Sequence, residues 1–223
     1  MATGLAVALP VALAVNLVVA VSVLHGSALA AGTAFLAAAS LVATGMWRHY
    51  PHARIGACNV VTLIRLALTT ALLAPLVAGE AGGWTVAAVA SLSLMLDGLD
   101  GFLARRSGLV SSFGARFDME VDAGLALVLA LHALASGLVG AEVLVLGAMR
   151  YLFLGAGRIW PWIMAPLPES LARKTVCVLQ LTALIALQIP QLSVDAAILV
   201  ARVAAGAVIW SFGRDLLWLW RHR

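Results

Sequence analysis

The stretch LDGLDGFLARRSGLVSSFGARFDMEVD, residues 96–122, places four aspartates among apolar runs. They are Asp97, Asp100, Asp118 and Asp122. An ionised aspartate at bilayer depth costs about 2.5 to 3.5 kcal/mol on insertion scales, so carboxylates in such positions indicate a functional site. Four of them in one neighbourhood repel one another unless a cation compensates their charge. The stretch therefore predicts a cation site inside a membrane protein.

The composition of the whole chain is that of an integral membrane protein. Of its 223 residues, 63% are hydrophobic and 11% are charged, whereas soluble domains carry about a quarter charged residues. At ~20 residues per span, this length accommodates about eight helices and leaves little for a soluble domain. We expect the formal charge of +4 to serve contacts with anionic membrane lipids or phosphorylated substrates, and we expect no nucleic-acid binding.

Apolar segments bounded by glycine, proline or charged residues predict the membrane spans. Because a backbone in lipid must satisfy its own hydrogen bonds, each segment is expected to be a helix. The segments cover residues 4–24, 28–47, 60–78, 84–104, 119–137, 141–157, 175–190 and 194–213. The composition shifts at residues 47–59, which separates two N-terminal helices (residues 1–47) from a six-helix domain (residues 48–223). The predicted fold is an all-α polytopic membrane protein.

The basic residues of the connections predict the orientation of the protein in the membrane. In an eight-helix arrangement they all fall on one side, as Arg48, Arg54, Arg105, Arg106, Arg116, Arg158, Arg173, Lys174, Arg221 and Arg223. The connections on the opposite side contain no lysine or arginine. We therefore expect a multi-pass protein of the bacterial inner (plasma) membrane, with both termini and the aspartate stretch facing the cytoplasm.

The spacing of the aspartates predicts that they share one site. At about 100° per residue, Asp97 and Asp100 lie on one face of their helix, and Asp118 and Asp122 lie on one face of the next helix. Glu120 points about 100° or more away from its neighbours and is not expected to be a ligand. Because the connection between the helices is short, we expect them to be antiparallel neighbours whose acidic faces meet.

The chemistry of such a site is that of hard cations. An all-oxygen ligand set without a neighbouring histidine or cysteine favours Mg²⁺, Mn²⁺ or Ca²⁺. Two such ions can grip a pyrophosphate on both sides of the bond that breaks. Small residues at Gly101, Ala104 and Gly114 would let a nucleotide sugar and its phosphates approach the helix surface. Arg105 adds a guanidinium suited to phosphate oxygens.

These residues form the pattern D-x-x-D-G-x-x-A-R, followed after eight residues by G-x-x-x-D-x-x-x-D. This pattern resembles the signature of the CDP-alcohol phosphotransferases, which are integral membrane enzymes of phospholipid synthesis. Every fixed position is filled. The resemblance covers about residues 55–215 and implies the six-helix core of that family, preceded here by two extra helices. It also implies two divalent ions, Mg²⁺ or Mn²⁺, and a homodimer.

The resemblance implies a role for each residue of the pattern. Asp97, Asp100 and Asp118 would hold the ions, and Asp122 would be the general base, with a metal contact of its own left open. The acceptor hydroxyl would attack the phosphorus of a CDP-linked substrate, and CMP would leave. The residues implied to contact the CDP moiety are Gly101, Ala104, Arg105 and Gly114.

A second segment, NVVTLIRL, resembles the start of the first core helix of this family. Asn59, Thr62 and Arg65 would then also contact the nucleotide. Two alternatives are open: Asn59 caps its helix, and Thr62 bonds its own backbone. Arg65 lies about a turn deeper in the span, where an interfacial role is less suitable.

A group of basic residues is the candidate acceptor site. Arg150, Arg158, Arg173 and Lys174 would bind a phosphorylated alcohol such as glycerol phosphate or inositol phosphate. The alternative is that the last three are topology and headgroup charges. The segment ARKTVCVLQ, residues 172–180, is only loosely similar to the lysine-threonine-glutamine segment of phosphatidylglycerolphosphate synthases, because its glutamine is displaced.

The leading interpretation is an enzyme that moves a phosphatidyl group from CDP-diacylglycerol to a small polar alcohol and releases CMP. A first alternative uses a soluble CDP-alcohol and a diacylglycerol acceptor, because the same metal site suits either pair. A second alternative is a divalent cation carrier, since carboxylates within the membrane also mark ion pathways. The gathering of the carboxylates toward one end of their helices disfavours the carrier.

Overall fold

The computed structural model describes residues 2–107, 109, 111–168 and 170–222. In this part of the chain all regular structure is helical. The helices are α1 (Ala2–Val18, continued by a π-helical turn Val19–Val23), α2 (Ala28–His49), α3 (Ala57–Ala71), α4 (Leu73–Val77), α5 (Trp84–Ser107), α6 (Ser112–Ala135), α7 (Leu144–Ile159), α8 (Leu171–Ala186) and α9 (Val194–Arg221). Short 3-10 turns cover Ala141–Val143 and Pro161–Met164. The all-α prediction and the eight predicted segments are confirmed, with α3 and α4 sharing one segment.

Local chemistry explains where several helices begin and break. Ser27, Ser170 and Ser193 are the N-caps of α2, α8 and α9, and each side-chain oxygen accepts a hydrogen bond from a backbone N–H of the first turn, as such caps do. α3 ends at Ala71, four residues before Pro75, and Leu72 separates it from α4. Pro75 has no N–H to donate to the carbonyl of Ala71, so the helical ladder is interrupted there.

Within the described residues, five helices are long and apolar enough to cross a membrane. They are Thr3–Val23, Ala28–His49, Ala57–Val77, Trp84–Leu103 and Val194–Arg221. Of the other predicted spans, α6 carries three acidic residues near its start, while α7 and α8 have 16 residues each, fewer than the ~20 of a full span. These three stay predictions as membrane spans.

The chain forms two compact units, Met1–Leu125 and Ala126–Arg223. In the first unit, α1 and α2 pack against each other and against α3, and α3 packs against α5. In the second unit, α8 packs against α9, and the buried Gln188 amide donates hydrogen bonds to the carbonyls of Leu129 (3.1 Å) and Leu184 (2.8 Å). The division between residues 1–47 and 48–223 stays a prediction.

Candidate active site

The acidic residues of α5 and α6 converge in the first unit. One carboxylate oxygen from each of Asp97, Asp100 and Asp118 lies within 4.8 Å of the others. Asp100 is buried, whereas Asp97 and Asp118 are about one-third exposed, with 33% and 35% of their side chains accessible. These oxygens come from two consecutive helices, Asp97 and Asp100 from α5 and Asp118 from α6. Two partly exposed carboxylates beside a buried one suit a site that a ligand can reach.

Arg65 of α3 lies at the centre of this cluster and is fully buried. Its Nη1 atom lies 2.9 Å from Asp97 Oδ1 and 2.9 Å from Asp100 Oδ2. Nη1 also contacts Asp118, and Nη2 contacts Asp122. The remaining guanidinium donor, Nε, bonds to the Ser93 carbonyl at 3.1 Å. A single side chain therefore joins all four aspartates to α3.

The hydrogens of Arg65 are divided unequally among the carboxylates. Nη1 carries two N–H groups, and Asp100 and Asp118 accept hydrogen bonds from it, whereas Asp97 forms only an ion pair. Four carboxylates against one guanidinium leave a formal excess of negative charge. Hard oxygen donors with uncompensated charge are the ligand set that divalent cations such as Mg²⁺ or Mn²⁺ require. The residues of the cluster thus fit such ions.

Thr62 and Asn59 lie on the same face of α3 as Arg65, at its N-terminal end. Thr62 Oγ1 lies 3.0 Å from the Cys58 carbonyl and 3.1 Å from Asp100 Oδ2, and its one hydroxyl hydrogen serves one of them at a time. The alternative that Thr62 bonds its own backbone therefore accounts for only part of its contacts. Asn59 does not cap the helix, because the N-cap is Gly56; the capping alternative is wrong.

Asn59 is buried, and among the described residues its amide nitrogen has no hydrogen-bond partner. The side-chain oxygen of Asn59, Oδ1, explains why a glycine stands at position 114 of α6. A Cβ atom at Gly114 would lie 3.0 Å from Asn59 Oδ1 and 3.1 Å from Ser111 Oγ, closer than most side-chain contacts. Ser111 Oγ also accepts a hydrogen bond from the Gly114 N–H at 3.0 Å. Gly114 thus lets the start of α6 approach α3 closely.

A family model described as CDP-alcohol phosphatidyltransferase matches residues 56–210, which is more than half of the chain. The chain belongs to the CDP-alcohol phosphatidyltransferase family. No curated protein and no solved structure matches the chain significantly. Members of this family are membrane-embedded transferases of phospholipid synthesis, and the family generally uses divalent metal ions. The acidic cluster of α5 and α6 is the group of residues that could hold such an ion here.

The remaining predicted CDP contacts, Gly101, Ala104 and Arg105, lie in α5. Gly101 is half-buried in this helix, one residue after Asp100. The side chains of Ala104 and Arg105 lie outside the part of the structure that is described, so their predicted contacts with CDP stay predictions. For Arg65, the sequence predicts a contact with the nucleotide and does not predict the ion pairs with the four aspartates. The signal is that a charged residue within an apolar span needs opposite charges, and the aspartates of the next two predicted helices lie toward the same, basic side of the membrane.

The predicted acceptor residues lie in the second unit. Arg150 and Arg158 belong to α7, and Arg173 and Lys174 belong to the first turn of α8. Arg173 is already engaged: its Nε atom lies 2.8 Å from Asp215 Oδ2, and its Nη2 bonds to the Pro168 carbonyl at 3.2 Å. The acceptor role of these four residues stays a prediction.

Asp215 of α9 is paired with a second arginine. Arg214 Nη2 lies 3.0 Å from Asp215 Oδ1 and 3.0 Å from Ser170 Oγ. The Arg214 guanidinium also lies over the Trp210 ring, 5.2 Å from its centroid, as in cation–π contacts. This network connects the end of α9 to the start of α8.

Proposed function

We propose that the protein transfers a phosphatidyl group from CDP-diacylglycerol to a small polar alcohol and releases CMP. The observation that carries the proposal is the convergence of Asp97, Asp100 and Asp118, with Asp122 joined to them through Arg65. A membrane-embedded chain of this family needs a cation site for a pyrophosphate substrate, and this cluster is acidic, partly open and made of oxygen donors.

The aspartates have separate roles in the proposed reaction. Asp97, Asp100 and Asp118 hold two Mg²⁺ or Mn²⁺ ions, to which Asp122 contributes an oxygen as well. When bound, these ions neutralise the charge that develops on the entering and leaving oxygens of the phosphoryl group. Arg65 keeps the four carboxylates directed at one another, because its guanidinium contacts each of them.

Asp122 acts as the general base. Its side chain is largely buried, with 19% exposed, and its contact with Arg65 Nη2 fixes the direction of the carboxylate. Asp122 takes the proton of the acceptor hydroxyl while the hydroxyl oxygen bonds to the phosphorus of the phosphatidyl group. The bond from that phosphorus to the CMP oxygen breaks, and CMP leaves with the electron pair.

The CDP moiety binds along α3, α5 and the start of α6. The buried amide nitrogen of Asn59 is a donor without a partner among the described residues, and Thr62 lies beside it. The other proposed CDP contacts are Arg65, Gly101, Ala104, Arg105 and Gly114. Arg150, Arg158, Arg173 and Lys174 are the proposed acceptor contacts, with a phosphorylated alcohol as the favoured acceptor class.

The proposed setting is a bacterial inner membrane, with the aspartate cluster on the cytoplasmic face, where soluble CMP and polar alcohols exchange. The basic connections support this orientation. A homodimer is the proposed assembly, on the ground of family resemblance alone.

The experiment is a screen of the purified protein with labelled CDP-diacylglycerol, Mg²⁺ or Mn²⁺, and a panel of free and phosphorylated alcohols. CMP release and the lipid product are measured for each alcohol. We expect CMP release that needs both an alcohol and a divalent ion and that chelator abolishes. A parallel reaction with CDP-choline and diacylglycerol distinguishes the soluble CDP-alcohol alternative. Equal CMP release in chelator, or turnover of CDP-choline alone, would overturn the proposal.

A further inference from the structure

The first two helices lie outside the residues that the family model matches, which begin at Gly56. They nevertheless belong to the same compact unit as the four aspartates. Both α1 and α2 pack directly on α3, the helix that carries Arg65. The two helices therefore lie directly against the helix whose arginine contacts all four aspartates.

One buried apolar cluster joins α1 and α2 to the backs of α3 and α6. Its members are Ala12, Phe35, Ala39, Leu63, Leu66, Ala67, Phe117 and Val121. Phe117 and Val121 directly precede Asp118 and Asp122, and Leu66 directly follows Arg65. Neighbouring residues of a helix point about 100° apart. The cluster therefore packs against the same helical turns that present the charged groups.

A polar contact fixes α1 to α3 within this apolar interface. Asn16 is fully buried, and its Nδ2 atom donates hydrogen bonds to the Ala67 carbonyl and to Thr70 Oγ1, each at 2.9 Å. Thr70 Oγ1 in turn lies 2.8 Å from the Leu66 carbonyl, to which it donates. An asparagine within a span is costly unless it bonds to another helix. The bond therefore specifies where α1 sits along α3.

Contacts at both ends of the α1–α2 pair also fix it to the other helices of the first unit. At one end, a Cβ atom at Gly26 would lie 2.6 Å from the backbone nitrogen of Pro75, so the turn between α1 and α2 contacts the α3–α4 segment closely. At the other end, the hydroxyl of Tyr50 accepts a hydrogen bond from the Gly56 N–H at 3.2 Å. The Tyr50 ring also meets Phe113 of α6 edge-on, with the centroids 6.2 Å apart.

We propose that α1 and α2 are a positioning element of the aspartate site. By fixing the backs of α3 and α6, they set the distances between the carboxylates of α5 and α6 around Arg65. This inference rests on the proposed function, because it takes the aspartates to be ligands of a divalent ion. Residues that orient metal ligands from behind typically change metal affinity by about ten- to a hundredfold when they are altered.

Phe35 and Leu36 provide a matched pair for the test. Phe35 is buried in the cluster, whereas its neighbour Leu36 is 55% exposed on the same helix. Full-length Phe35→Ala and Leu36→Ala are purified in the same detergent, and Mn²⁺ binding is measured directly by electron paramagnetic resonance of the free ion. CMP release is measured against Mn²⁺ concentration. We expect Phe35→Ala to bind Mn²⁺ about tenfold more weakly and to recover CMP release at higher Mn²⁺. Leu36→Ala should match the wild type.

The Mn²⁺ affinity of the folded protein separates positioning from simple destabilisation. Because Mn²⁺ binding stabilises the folded state, a variant that is only less stable also regains CMP release at higher Mn²⁺. Its folded fraction keeps the wild-type Mn²⁺ affinity, however, so the direct titration is made on protein shown to be folded. Wild-type Mn²⁺ affinity in folded Phe35→Ala would overturn the inference. If Phe35→Ala does not fold, Phe35→Leu leaves a smaller cavity and should show the same weakening to a smaller extent.

Asn16 and Thr70 provide an independent test of the polar contact. Asn16→Leu and Thr70→Val should both weaken Mn²⁺ binding, whereas Thr70→Ser keeps the accepting hydroxyl and should restore it. The control is Thr33→Val, because Thr33 is exposed on α2 and, among the described residues, bonds within its own helix to the carbonyls of Leu29 and Ala30. If the wild type itself bound no Mn²⁺, the proposed function and the positioning role would both be overturned. If the wild type bound Mn²⁺ and every variant matched it, the positioning role alone would be wrong.

Discussion

Arg65 and Asp100 form an ion pair of 2.9 Å in which the two side chains expose 0% and 5% of their surface. A buried charge without a partner costs several kcal/mol, so each of these groups depends on the other. Because Arg65 also contacts Asp97, Asp118 and Asp122, its loss would leave four acidic groups without their internal cation. The metal-free protein should therefore depend on Arg65 for stability as well as for the arrangement of its site.

We expect Arg65→Gln to lower the unfolding free energy of the metal-free protein by about 3 to 5 kcal/mol, which is typical when one partner of a buried ion pair is removed. Arg65→Lys keeps the charge without the fork geometry and should lose less. The measurement is the melting temperature in chelator and in Mn²⁺, and the deficit of Arg65→Gln should shrink in Mn²⁺. Arg116→Gln is the control, because Arg116 is exposed and donates a hydrogen bond to the Ser112 carbonyl one turn earlier in its own helix. Equal melting temperatures for Arg65→Gln and Arg116→Gln would contradict this expectation.

The close approach of Gly114 to Asn59 predicts an effect on the nucleotide. In Gly114→Ala the new methyl group would lie 3.0 Å from Asn59 Oδ1, so Asn59 must shift. Overpacking of this kind costs about 1 kcal/mol or more, and we expect the KM for CDP-diacylglycerol to rise about fivefold or more. Gly124→Ala on the same helix is the control, because its nearest neighbour, Thr69 Cγ2, would be at an ordinary 3.8 Å. An unchanged KM in Gly114→Ala would argue against a nucleotide contact by Asn59.

Much of the fold follows from local features of the sequence. The apolar segment 84–104 corresponds to α5, Trp84–Ser107, which begins directly after two glycines and continues through the two arginines that follow the apolar segment. The convergence of Asp97 with Asp118 follows from helical periodicity and a short connection, both of which are local. The last helix extends beyond its predicted end at residue 213 to Arg221. Charge suggested an earlier end there, but Asp215 pairs with arginines and remains within the helix.

The contacts that sequence reasoning missed depend on tertiary structure. The pairing of Arg65 with four aspartates requires α3 to lie beside both α5 and α6. A short connection predicts that α5 and α6 are neighbours, but no local pattern predicts the place of α3 against them. Asn16 and Ser22 are isolated polar residues of the apolar segment 4–24, and one acceptor of the Asn16 amide is the backbone carbonyl of Ala67, which every residue type offers. No pattern of residue types could therefore have predicted that bond.

The pairing of Arg173 with Asp215 predicts that substitutions of Arg173 and of Arg158, two basic residues of the second unit, differ in their effect on stability. Arg173 pairs with Asp215, whose side chain is 11% exposed, whereas Arg158 lies exposed at the end of α7. Because Arg173 itself is partly exposed, we expect Arg173→Ala to lower the unfolding free energy by only about 1 kcal/mol. Arg158→Ala should leave it unchanged, and thermal unfolding of the two variants checks this. If Arg173→Ala were as stable as Arg158→Ala, Arg214 alone would satisfy Asp215.

Asp122 and Asp97 should respond differently to substitution, because they have different proposed roles. Asp122→Asn keeps the shape of the side chain but cannot accept the hydroxyl proton, so we expect CMP release to fall by about a hundredfold or more while much of the Mn²⁺ and CDP-diacylglycerol binding remains. Asp97→Ala removes a metal ligand and should weaken Mn²⁺ binding itself. Glu120→Gln is the control for both, because Glu120 is exposed on α6 two residues before Asp122. Initial rates at saturating Mn²⁺, combined with direct Mn²⁺ titration, separate the two roles. Near wild-type CMP release by Asp122→Asn would refute the role of Asp122 as general base. Unaltered Mn²⁺ affinity in Asp97→Ala would refute the role of Asp97 as a metal ligand.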